Sequence, residues 1–262
     1  MKMQPSEFEN AGLMFSYLDT GRDEGGDGRV LIALHAHLMD GQTFAPLAAA
    51  LEPEWRMIAP DQRGHGYSSH AQSYTRGDYL GDLEALFAHL GMQQAVLLGN
   101  SLGGVNAYQF AARHPERVSA LVIEDVGAVV SDDISFILPW AGVFATREEL
   151  ANQIGARFAP YFEDSFRQIE NGWRLAFEPS EMVESQRWLC GDHWQDWLAT
   201  DCPALLVRGR DSRVTTAEEL EEMARRRPNT ALVTLDGGHV PHKECPEEFN
   251  RAVLRFLTSL QV

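Results

Sequence analysis

Residues Gly99-Asn100-Ser101-Leu102-Gly103 stand between the apolar run Gln94–Leu98 and a stretch rich in small and apolar side chains, Val105 to Ala112, that stops near His114-Pro115. Gly-x-Ser-x-Gly in that setting predicts a strand, a sharp turn and a helix in direct succession. The turn holds its serine in a strained conformation that only small flanking residues permit, so the hydroxyl stands clear at the head of the helix. Ser101 is therefore the candidate nucleophile, and the chain around it must supply a sheet edge for it to stand on.

That sheet is visible as a rhythm. Short apolar runs at Val30–Leu34, Arg56–Ala59, Ala95–Leu98, Ala120–Ile123, Ala204–Val207 and Ala231–Leu235 alternate with amphipathic stretches. This is the pattern of parallel strands buried on both faces and linked by helices. Residues 8–19 read as an N-terminal hairpin at the sheet edge, followed by a Gly-rich acidic turn from Gly21 to Arg29. The rhythm breaks between residues 127 and 199. That interval holds five of the six tryptophans and many phenylalanines, as expected of a lid over an apolar pocket. Trp140, Phe144, Phe162 and Trp188 are the candidate substrate-binding residues.

A chain of 262 residues with 44% hydrophobic content can bury one sizeable core with room for such an insertion. The formal charge of −16, with scattered basic residues, argues against nucleic acid or an anionic membrane surface as partner. No apolar run approaches the roughly 18 residues of a membrane span. Cys190, Cys202 and Cys245 lie far apart without metal-type spacing, which fits reduced thiols. The expected location is the cytoplasm.

A serine hydroxyl needs a base to take its proton and a carboxylate to orient that base. His239 lies in the Gly-rich segment Asp236-Gly237-Gly238-His239, directly after the last apolar run, where a loop can carry its ring over the sheet edge. His242, three residues on, opens a helical turn and is expected to pack locally.

Four pieces now stand in order: Leu34-His35-Ala36-His37, Asp61-Gln62-Arg63-Gly64-His65-Gly66-Tyr67-Ser68, the Ser101 turn, and Gly238-His239. With them the chain resembles the α/β-hydrolase family, in particular its small single-lid serine hydrolases, over nearly its whole length. The resemblance implies an α/β fold: a mostly parallel eight-stranded sheet flanked by helices, with core residues 1–126 and 200–262 and a helical cap, residues 127–199, inserted after the sixth strand. It implies that Arg63 and His65 shape a loop beneath the site. It also implies an oxyanion hole made by the backbone N–H groups of His37 and Leu102, although Ala36 stands where the family usually has glycine.

The acid is the open question. Most relatives carry it in a Gly-x-x-Asp pattern after the seventh strand. Here Gly209-Arg210-Asp211-Ser212 puts serine at that place and Asp211 one residue early, while Glu124-Asp125 ends the sixth strand. A one-residue shift at a strand end turns a side chain away. Asp125 is the preferred acid and Asp211 the alternative, with Glu124 left to a salt-bridge or solvent role.

The expected activity is hydrolysis of a carboxylic ester, thioester or lactone with an apolar moiety, through Ser101, His239 and Asp125, without metal or organic cofactor. Carbon–carbon bond hydrolysis and cofactor-free haloperoxidase-like chemistry would use the same residues; a non-enzymatic ligand sensor is a further alternative. Aspartate-based dehalogenation is excluded by Ser101. A binuclear zinc reading of His35-Ala36-His37-Leu38-Met39-Asp40 fails on spacing.

Overall fold

The computed structural model describes residues 3–21 and 29–260. The turn expected from Gly21 to Arg29 lies almost wholly outside the described residues. Eight strands form one sheet: β1 (Gln4–Asn10), β2 (Leu13–Asp19), β3 (Val30–Leu34), β4 (Arg56–Pro60), β5 (Ala95–Asn100), β6 (Val118–Glu124), β7 (Ala204–Gly209) and β8 (Thr230–Leu235). Their order is β1-β2-β4-β3-β5-β6-β7-β8. β1 and β2 are the expected hairpin, and β2 meets β4 antiparallel. From β4 to β8 every pairing is parallel.

Alternation along each strand divides the core into two layers. On β3, Ile32 and Leu34 face the layer shared with Leu97 and Ile123, while Leu31 and Ala33 face the layer shared with Leu98 and Val122. The first layer is closed by helices α2 (Arg76–His89) and α3 (Leu102–Arg113); the second by α1 (Ala45–Leu51), which precedes them in the chain, and by the C-terminal helix Pro246–Ser259. A central strand buried on both sides cannot show polar alternation, which is why these strands read as unbroken apolar runs.

Between β6 and β7 the chain leaves the sheet. Residues 127–199 contain the helices α4 (Arg147–Ile154) and α5 (Pro179–Leu189), the first capped by the Thr146 hydroxyl on the Glu149 N–H at 3.1 Å. This insertion is less purely helical than expected. Phe166–Ile169 pairs antiparallel with Gly172–Leu175, and Val129–Val130 pairs with Gly191–Asp192. After β7 come α6 (Ala217–Arg226), β8 and α7 (Pro246–Ser259).

The segment Asp61–Ser68 forms the loop that follows β4. Gly64 and Gly66 take positive φ of 73° and 59°, and a Cβ on Gly66 would sit 2.3 Å from the Asp61 carboxyl. Arg63 donates to both carboxylate oxygens of buried Asp82 at 2.7 and 2.9 Å and to the Ser73 and Asp78 carbonyls. Asp61 accepts from the Gly41 and Tyr67 N–H groups, joining this loop to the one after β3. Burial and the nearby Asp40 charge push its carboxyl up to about 7. The motif therefore acts through backbone geometry and buried pairing, with the His65 ring packed 4.9 and 6.0 Å from those of His35 and His37.

Candidate active site

Ser101 sits between the end of β5 and the first turn of α3 with φ 51° and ψ −114°, a conformation that L-residues rarely adopt. The surrounding glycines are the reason the chain can do this. A Cβ on Gly99 would lie 2.1 Å from the Gly103 carbonyl oxygen, and one on Gly103 would lie 2.0 Å from that of Leu34. Strand, turn and helix thus pack backbone against backbone, and the strain falls on Ser101.

His239 follows β8 in a loop held on three sides. Asn100 donates its amide to the His239 carbonyl at 3.1 Å and to the Glu124 carbonyl at 3.2 Å, tying the His239 loop to the residue before Ser101. Glu244, in the one-turn helix Pro241–Glu244, accepts from the Gly238 and Val240 N–H groups. His239 Nδ1 lies 2.7 Å from Asp125 Oδ2. Asp125 is fully buried and itself has a positive φ of 49°.

The Asp125 carboxylate is braced by β7 and the loop after it. Oδ1 accepts from the Gly209 N–H at 3.1 Å and the Thr215 hydroxyl at 2.8 Å; Oδ2 accepts from His239 and from the Ser212 hydroxyl at 2.5 Å. Ser212 Oγ in turn accepts from the Val214 and Thr215 N–H groups, so its own proton points at Asp125. Ser212 occupies the position where the resemblance places the usual acid, and its hydroxyl hydrogen-bonds Asp125 on the neighbouring strand instead. Asp211 is exposed beside Ser212, with its N–H on the Gly237 carbonyl. The bracing role of Ser212 and Thr215 was missed in the sequence, where the one signal was a hydroxyl standing in a carboxylate's place.

The backbone N–H groups of His37 and Leu102 have no protein acceptor among the described residues, and Leu102 opens α3, where the first N–H groups lack intrahelical partners. The His37 ring is engaged elsewhere: its Nε2 lies 2.8 Å from the Ser185 hydroxyl, which also meets the Tyr79 hydroxyl at 2.8 Å. Burial, then His65 and Arg76 close by, hold this imidazole well below its usual pKa. His35 is pushed down to about 4, chiefly by burial, and His65 is lowered in the same way. His35 uses both ring nitrogens, on the Ala36 carbonyl and the Gln62 N–H, while Asp40 pairs with Arg167 at 2.6 Å. The three residues of the zinc reading thus turn to three different partners.

Ser101, His37 and His239 line one cavity of about 560 Å³, together with Phe136, Phe158, Tyr161 and Phe162 from the insertion. Of the four expected substrate-binding residues, Phe162 lies on this wall and the other three lie elsewhere. Trp140 is buried one layer behind, its ring 5.7–5.9 Å from those of Phe136, Phe158 and Phe162. Phe144 bridges to Trp173 through paired backbone hydrogen bonds of 2.8 and 2.7 Å, and Trp188 is half exposed on α5. Aromatic content singles out residues 127–199 but does not say which ring faces inward.

A parallel sheet in this order, with a serine on a strained turn after β5 and a histidine in the loop after β8, defines a class. The chain belongs to the alpha/beta hydrolase family, whose model matches residues 31–252. It is 27% identical over 255 residues to the 2-(acetamidomethylene)succinate hydrolase of Mesorhizobium japonicum, covering 89% of this chain and 90% of that protein. It is 26% identical over 223 residues to the 3-oxoadipate enol-lactonase 2 of Acinetobacter baylyi, covering 78% and 79% of the two chains. The crystal structure of an alpha/beta hydrolase from Novosphingobium aromaticivorans superposes with a TM-score of 0.83 at 26% identity over 98% of both chains.

Proposed function

We propose that the protein is a serine hydrolase cleaving a carboxylic ester or a related acyl compound, a thioester or lactone, with a substantial apolar part. Ser101 Oγ attacks the carbonyl carbon while His239 takes the hydroxyl proton, and Asp125 keeps the imidazole in the tautomer whose free nitrogen faces the serine. The His37 and Leu102 N–H groups receive the developing oxyanion. His239 then gives the proton to the leaving oxygen or sulfur. Water, deprotonated by the same imidazole, releases the acid from the acyl-enzyme, and residues 127–199 act as the cap that shelters these steps.

One observation carries this reading: the 2.7 Å contact from His239 Nδ1 to a carboxylate that already has three other donors, on a ring lining the same cavity as Ser101. That is the arrangement a general base needs, oriented from behind and accessible in front. Relatives named for lactone and succinate-derivative hydrolysis support an acyl substrate. Its three free thiols fit a cytoplasmic protein, and among the described residues no helix is long and apolar enough to cross a membrane. The test is a fluorophosphonate probe with a panel of p-nitrophenyl esters, thioesters and lactones. Labelling that vanishes in Ser101→Ala, with turnover of at least one substrate class, is the expected result; an unlabelled wild-type protein that turns over none of them would sink the reading.

A further inference from the structure

The cavity wall carries charges on both sides of the His239 loop, and they are not equally satisfied. Its four carboxylates, apart from buried Asp125, each have a neighbour. Glu244 accepts from two backbone N–H groups. Asp133 accepts from the Ser135 N–H and hydroxyl, with Arg187 nearby. Asp211 lies near Arg210, and Asp132 faces His239.

The two guanidinium groups on the same wall differ from them. Arg157, from the insertion, is exposed and rests against the Phe158 ring at 5.1 Å; Arg213, from the loop after β7, is exposed, and among the described residues it has no hydrogen-bond, ion-pair or ring partner. Both line the cavity that also holds Ser101 and His239. Tyr161 lies near both Arg157 and Glu244, and Glu244 holds Gly238; the Arg213 loop is fastened to Gly237 through the Asp211 N–H at 2.9 Å. In a chain of net charge −16, cations left unpaired at a cavity mouth are vacancies for an anion.

We propose that Arg157 and Arg213 recognise a carboxylate on the substrate, so that the acyl compound cleaved at Ser101 is anionic, with its charged end at the mouth and its scissile carbonyl at the nucleophile. This rests on the serine-hydrolase reading and narrows its substrate class. Two planar guanidinium forks match the two oxygens of a carboxylate, and a charge kept at the rim retains part of its hydration while the apolar wall takes the carbon chain.

Three p-nitrophenyl esters of matched length test it: the glutarate half-ester (anionic), the pentanoate (neutral) and the 4-(trimethylammonio)butanoate (cationic). The wild-type protein should favour the glutarate half-ester by about tenfold or more in kcat/KM. Arg157→Gln and Arg213→Gln should each remove roughly five- to tenfold of that, mostly through KM, with pentanoate turnover moving less than about twofold. Equal or better turnover of the neutral or cationic ester, or a preference intact in the double variant, overturns the proposal. Calorimetric titration of glutarate into Ser101→Ala reads the same site without catalysis. Binding that weakens by about tenfold or more when both arginines are replaced sustains the proposal even if no ester is turned over, whereas absent binding, or binding unchanged by the replacements, overturns it. Fluorophosphonate labelling of Ser101 separates this outcome from failure of the hydrolase reading.

Discussion

β6 ends in two neighbouring carboxylates, and each holds an imidazole from the loop after β8. Asp125 meets His239 at 2.7 Å, and Glu124 meets His242 at 2.8 Å. The chemistry is nearly the same, but the surroundings are opposite. Glu124 continues the strand face that carries Val122 and is sealed with His242 between Phe44 and Phe249, the rings 4.6 and 5.9 Å away; the His242 side chain is 2% exposed. Asp125 turns to the other side, and its histidine keeps 29% of its side chain exposed, on the cavity. A carboxylate–imidazole pair is therefore not a catalytic signature in itself. Access separates the two: the Asp125 pair opens on the cavity, and the Glu124 pair is sealed in the core.

The sharpest way to break this comparison is to disable each pair in turn. Asp125→Asn should leave the protein folded and lower kcat by roughly three to four orders of magnitude, because the imidazole loses both its orienter and the stabiliser of its cationic form. Stopped assays on one ester, with circular dichroism as the folding control, read this directly. Near wild-type turnover in a folded Asp125→Asn protein would remove the acid from its assigned role.

Glu124→Gln should do the reverse. It leaves His242 N–H donors facing an amide in a sealed site, at a cost on the order of 3 kcal/mol in unfolding free energy, while turnover per folded molecule stays within about tenfold of wild type. Urea unfolding measures the first and active-site titration the second. Unchanged stability with lost activity would mean that the buried pair takes part in the reaction after all.

A third imidazole group extends the contrast to pH. His35, His37 and His65 are buried in a neutral form, all three lowered mainly by burial. Their folded pKa values lie below the unfolded value of about 6.5, so the unfolded chain binds more protons as the pH falls below it. Their contribution is present above about pH 6.5 and is lost as the pH falls towards the folded values, at up to ~1.4 kcal/mol per pH unit for each ring. Asp61, held up to about 7, works the other way over the same range because it binds its proton in the folded state, so urea midpoints should fall between pH 6.5 and 4.5 by less than three rings alone would give. Midpoints that rise throughout that range would show that these rings are solvated.

Much of this was legible in the residues, and the limits have physical causes. The parallel strands, the Ser101 turn and the histidine after β8 announce themselves because each depends on local chemistry: apolar runs, glycines that no Cβ can replace, a Gly-rich loop. Asp125 is preferred over Asp211 from strand-end register taken together with the family resemblance. What could not be read is what only tertiary proximity creates. Thr215 bonds Asp125 from 90 positions away, across the ends of β6 and β7. Trp140 and Phe162 look alike as residues of an aromatic insertion, yet one packs behind the wall and the other forms it. The Glu124–His242 pair was expected as a salt bridge or a solvated charge on one side and local packing on the other, and only adjacency joins them.

The smallest expected effects test the acid's support. Ser212 Oγ shares Asp125 Oδ2 with His239 and is itself fixed by two backbone N–H groups, so Ser212→Ala removes one hydrogen bond to a buried carboxylate without touching the imidazole. One charge-assisted bond of this kind is worth about 1.5–3 kcal/mol in stability, of which only the part lost from orientation reaches the rate. A fall in kcat of about tenfold is expected. Asp211→Asn, one residue away, should change kcat on a neutral ester by less than about twofold, since its carboxylate is exposed and it is the hydroxyl of Ser212 that reaches Asp125. Measured side by side on one neutral ester, the two variants locate the functional end of the β7 loop to a single residue. If Asp211→Asn were the impaired enzyme and Ser212→Ala the silent one, the orienting charge would come from β7, and Asp125 would join Glu124 as a fastening of the fold.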